Sequence, residues 1–122
     1  MATTYESSFE LMRKARSLMD EAATSGAGEA DGQVRMAFYL LYRAASLAVM
    51  VSPPAVKEAA ERGPELSLLT DTLMRRYYRG EGAPRDPAAA LAEFERWSET
   101  VARFVNSLAA QAKLSVREPK RR

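Results

Sequence analysis

Apolar residues in this chain recur at three- and four-residue steps and nowhere alternate with period two over a useful length, so the pattern predicts helices and no sheet. Leu11, Met12, Ala15, Leu18, Met19 and Ala22 form the first stripe, on a helix expected over residues 5–23. Ser7 with Glu10, or Thr3 with Glu6, has the spacing of a capping box at its start. Residues 24–31 are rich in Gly, Ser and other small side chains and read as a connection. A second helix is expected from Asp31 or Gly32 to Val51. From Met36 onward only Arg43 and Ser46 interrupt its apolar and aromatic run. A helix apolar nearly all round is one surrounded by others, which makes this the central helix of a bundle.

Ser52-Pro53-Pro54 ends that helix, and Ser52 is placed to cap a short third one that closes at Gly63. Pro64 opens a fourth helix expected over 64–79, with Leu66, Leu69, Leu73 and Tyr77 on its buried face and Gly80, Gly82 and Pro84 beyond its end. Asp86-Pro87 is a start signal, a carboxylate N-cap followed by Pro in the first turn. The last helix is expected over 87–112, with Leu91, Ala102, Val105 and Ala112 flanking a seam of Phe94, Trp97, Val101, Phe104 and Leu108. The fold expected is therefore all-α, an up-and-down bundle of four main helices plus one short helix. It fills one domain over residues 1–112, followed by a basic tail at 113–122 that is expected to be disordered.

Composition narrows the chemistry. With 122 residues the chain can build one hydrophobic core, and 47% hydrophobic with 28% charged residues suits a folded domain. It has neither Cys nor His. That excludes disulfides, thiolate or imidazole metal sites and every imidazole-based triad, and no cofactor is expected. The most apolar run, 36–51, is shorter than a membrane span and carries Arg43. No basic leader precedes an apolar segment, so the expected compartment is the cytoplasm and no membrane partner is expected. Lys113, Arg117, Lys120, Arg121 and Arg122 against Glu118 give the tail +4, leaving −2 for the rest of a chain whose net charge is +2.

Three places carry candidate chemistry. Arg75, Arg76, Tyr78 and Arg79, with Tyr77, gather cations and aromatic rings at a helix end, a combination that holds phosphates and stacks bases. A plainer reading buries Tyr77 and sets the arginines against the negative end of the helix dipole. Arg43 lies inside an apolar helix, where a charge is either paired or aimed into a cleft, and a pairing with an acid on the first or last helix is the simpler expectation. The tail can neutralise phosphates without sequence preference. Glu93 with Arg96, Glu99 with Arg103, and Glu58 with Arg62 have the spacing of surface ion pairs.

The order of features resembles the HEPN domain, a bacterial helical fold of toxin–antitoxin and nucleotidyltransferase systems. The likeness rests on Phe9-Glu10-Leu11-Met12-Arg13-Lys14-Ala15, then Phe38-Tyr39-Leu40-Leu41-Tyr42-Arg43-Ala44-Ala45-Ser46-Leu47, then Tyr77-Tyr78-Arg79 and a long closing helix, and covers most of residues 9–109. HEPN ribonucleases carry an Arg-x(4–6)-His motif, and this chain has no His. The resemblance thus implies a non-catalytic relative that binds a nucleotide or a protein partner, or self-associates as a homodimer. The alternative is a nucleic-acid-associated protein using the 75–79 cluster and the tail.

Overall fold

Small residues decide where two helices approach most closely, and this chain spends them on one seam. The computed structural model describes residues 4–24, 27–75 and 87–117, which form five α-helices with no strand among them. They are α1 (Thr4–Ala22), α2 (Ala27–Met50), α3 (Pro54–Arg62), α4 (Pro64–Leu73) and α5 (Pro87–Arg117). Ala15 of α1 and Ala37, Ala44 and Ala48 of α2 are fully buried, and without long side chains between them the two backbones can lie close. Ser8 uses that closeness: its hydroxyl, also fully buried, donates to the Ala44 carbonyl at 2.8 Å. At the start of α1, Tyr5 hydrogen-bonds Ser52, just past the end of α2, at 2.8 Å, so the two helices run antiparallel.

The core continues from this seam around α2. Phe38 and Leu41 meet Leu69 and Leu73 of α4 and Phe94, Val101 and Val105 of α5 in one buried cluster. Each such side chain contributes about 1.5–3 kcal/mol by leaving water. The Phe38 and Phe94 rings meet edge to face, 5.5 Å between centroids at 85°. Farther along α5, Phe104 and Leu108 lie beside the junction of α3 and α4, beyond the end of α2. Helix α5 therefore runs in the same sense as α2. No helix among the described residues is long and apolar enough to cross a membrane.

Several boundaries differ from the sequence expectation, each for a local reason. Helix α2 begins at Ala27 rather than near Asp31, carrying Gly32 on a face where a side chain would meet nothing. Just inside this start, Arg35 pairs with Asp31 at 3.2 Å and Gln33 donates to Glu21 of α1 at 3.2 Å. Ser52 does not cap α3. Pro53 holds that position with no side-chain hydrogen bond, because the Ser52 hydroxyl is turned back to the Ala48 carbonyl at 2.7 Å. Helix α4 passes into a wider turn at 74–75, and Tyr77, expected on its buried face, lies outside the described residues. Helix α5 continues to Arg117, so residues 113–117 of the expected tail are helical, while 118–122 lie outside the described residues. Lys113, Leu114 and Arg117, good helix formers, carry it past the expected stop, with Lys113 and Leu114 exposed.

Candidate functional site

The outward side of α2 is the least expected surface of the molecule. At 3.6 residues per turn, Gly32, Met36, Tyr39, Arg43, Leu47 and Met50 fall on one stripe, opposite the buried Phe38, Leu41, Ala45 and Val49. Met36 and Met50 are 45% and 65% exposed, and Tyr39 and Leu47 are half-buried beside them. A helix read from its sequence as enclosed on every side thus keeps an apolar face in water. A continuous apolar run does not require full enclosure, and here α1, α4 and α5 pack on α2 while Met36 and Met50 stay exposed.

Arg43 stands at the centre of this stripe. It is exposed, which corrects the expectation of a charge buried in the bundle and paired with an acid of the first or last helix. Its helical position is 20° from that of Met36 and about 180° from the core-facing side, so it never enters the interior. Tyr39 and Tyr42 flank it, their rings 5.8 Å apart. Of the eight arginines whose side chains are described, Arg13, Arg16, Arg35, Arg62, Arg75, Arg96 and Arg103 each lie within ion-pair reach of a carboxylate. Arg43 alone of that set has no such partner.

The other expected site is less open to view. Arg75 is exposed and gives its guanidinium to Asp71 one turn earlier at 2.8 Å, which offsets its charge. Arg76, Tyr78 and Arg79 lie outside the described residues, so no geometry joins them to Arg75. The anticipated surface pairs form, Arg96 with Glu93 at 2.8 Å, Arg103 with Glu99 at 3.7 Å and Arg62 with Glu58 at 2.8 Å. Trp97 also donates its indole N–H to Glu93 at 3.3 Å.

Sequence reasoning missed two features. Arg16 of α1 reaches Glu95 of α5 at 3.1 Å and lies over the Phe94 ring at 5.3 Å, a cation–π contact that joins two helices remote in sequence. A half-open groove of about 290 Å³ lies between the α3–α4 junction and α5, lined by Ala59, Gly63, Pro64, Glu65, Phe104 and Gln111 among others. Gln111 in it donates to Ser107 at 3.1 Å. Glu65 is the one ionisable side chain in its lining and Ser107 the one hydroxyl. Among the described residues no group of three or more acidic side chains is placed to hold a metal ion.

Comparison of the chain with protein-family models, with curated proteins and with solved structures returns no match.

Proposed function

We propose that this chain is a non-catalytic, HEPN-like interaction module, an up-and-down bundle that works by presenting the outward face of α2 to another polypeptide chain. The observation that carries the reading is that face itself: two exposed methionines with half-buried Tyr39 and Leu47 on one helical stripe. Contiguous apolar surface of this kind marks interaction sites in folded proteins. Methionine suits such a surface because its flexible thioether adapts to a partner's shape. A homodimer is the first form of association to test, and a bacterial, cytoplasmic toxin–antitoxin or nucleotide-related system is the setting the resemblance suggests.

The nucleic-acid reading draws less support. Of the arginine cluster on which it rests, the described Arg75 shares its charge with Asp71, which reduces what it offers to a phosphate. Sedimentation velocity of the full chain at rising concentration, alone and as the Met36→Glu/Met50→Glu variant, tests the leading form. Association that disappears in the variant supports a homodimer through α2. A wild-type chain that stays monomeric at every concentration removes the homodimer, and the face then has to be matched to a different chain.

A further inference from the structure

We infer that the outward face of α2 takes an amphipathic helix from a different protein, one that carries a carboxylate in the middle of its apolar stripe and sets it against Arg43. This rests on the reading of α2 as a docking face and names what docks there. Met36 and Met50 stand one heptad before and one heptad after Arg43, so apolar anchors bracket a single charge along about four turns of helix. An incoming helix of matching period meets apolar, charged and apolar positions in that order.

Charge selects the occupant. Every other arginine with a described side chain has a carboxylate within its own chain, and Arg43 has none. Covering this face removes water from the Arg43 guanidinium, and a desolvated charge without a partner opposes binding. A second copy meets that requirement badly. Two α2 helices paired about the midpoint of the face, parallel or antiparallel, set Arg43 against Arg43 of the second copy. Sliding one copy along by half a heptad sets it against Leu40 or Leu47 of the second copy, again with no acid. A helix with Glu or Asp between apolar residues supplies the missing group and gives bidentate geometry to the guanidinium.

The test uses full-length protein and two fluorescently labelled helical peptides, alike in their leucines at heptad spacing and differing in one central residue, Glu or Lys. Binding is read by anisotropy to wild type, to Arg43→Glu and to Met36→Glu/Met50→Glu, with circular dichroism confirming that each variant is folded. The expected result is a preference of wild type for the Glu peptide of about tenfold or more, the lower end of coupling between close interfacial charges. Arg43→Glu is expected to reverse that preference, and the methionine variant to weaken both peptides. Equal binding of the two peptides to wild type, lost in the methionine variant, overturns the Arg43 assignment and leaves the docking face standing. Self-association of wild type that Arg43→Glu strengthens makes the second copy the occupant and overturns the inference. Failure of wild type to bind either peptide or itself overturns the inference and the docking face together.

Discussion

The end of α2 depends on one hydroxyl, and its removal gives an ordering of stabilities that a simple count of contacts does not. Pro53 and Pro54 supply no backbone N–H to the last carbonyls of the helix. The Ser52 amide is turned to Val49 at 3.1 Å, so the fully buried Ala48 carbonyl takes its hydrogen bond from the Ser52 hydroxyl instead, at 2.7 Å. With that proton committed, the hydroxyl of Tyr5 is the donor in the 2.8 Å bond to Ser52. Tyr5→Phe removes one donor and leaves an acceptor already engaged on its other side, a cost of about 0.5–1.5 kcal/mol. Ser52→Ala strands both the Ala48 carbonyl and the Tyr5 hydroxyl, at about 1–3 kcal/mol for the buried carbonyl and less for the half-buried phenol. Urea unfolding followed by circular dichroism should place Ser52→Ala below Tyr5→Phe. Adding Tyr5→Phe to Ser52→Ala should cost almost nothing, because the bond is already gone. A Ser52→Ala variant no less stable than Tyr5→Phe, or two fully additive losses, would refute the relay.

Four other substitutions probe different parts of the fold. Phe38→Ala and Phe94→Ala, at fully buried and mutually packed rings, should each cost about 3–5 kcal/mol, and a double-mutant cycle in urea should return a coupling of about 0.5–1.5 kcal/mol. Gly63 has φ −74° and ψ 152°, and a Cβ there would stand 3.5 Å from the Ala59 carbonyl oxygen, an ordinary distance. Gly63→Ala should therefore raise the thermal midpoint, worth about 0.4–1 kcal/mol through the unfolded chain, and a lowered midpoint would show that the α3–α4 junction needs its glycine. The buried Oε1 of Gln33 has no partner among the described residues, while its Nε2 makes one exposed bond to Glu21. Gln33→Met should leave stability unchanged or improved. A loss above about 1 kcal/mol in chemical denaturation would mean that water satisfies that oxygen.

The parts of the fold that the sequence revealed are those where one stripe meets one neighbour. Met12, Ala15 and Met19 in α1, Leu69 and Leu73 in α4, and Phe94, Val101, Phe104, Val105 and Leu108 in α5 are all buried, as three- and four-residue spacing requires. Ser8 escaped notice because a serine between Ser7 and Phe9 carries no hydrophobic signal; only the nearness of the Ala44 carbonyl gives it a role. Ser52 was legible as a cap but was assigned to the wrong helix. Both assignments satisfy the local pattern, and the choice is made by Tyr5, 47 residues away. Arg16 over Phe94 is likewise a pairing between distant segments that no periodicity encodes.

Helix α2 shows why the candidate site was harder to read than the fold. Its period marks Phe38, Leu41, Ala45 and Val49 as one apolar side, and Met36, Leu47 and Met50 as another, with nothing in the spacing to say which side the bundle covers. Two cues in the composition separate them. The covered side facing α1 is built of alanines, which only close packing makes useful, whereas the open side carries long flexible methionines and the one interrupting charge. An arginine inside an apolar run was read as a charge that the fold must hide. On the open face the same residue has the opposite meaning, since water solvates it in the free chain and any partner has to replace that water. Under the proposal above, Arg43 acts as a filter on association: it disfavours apolar surfaces that bring no carboxylate and favours those that do.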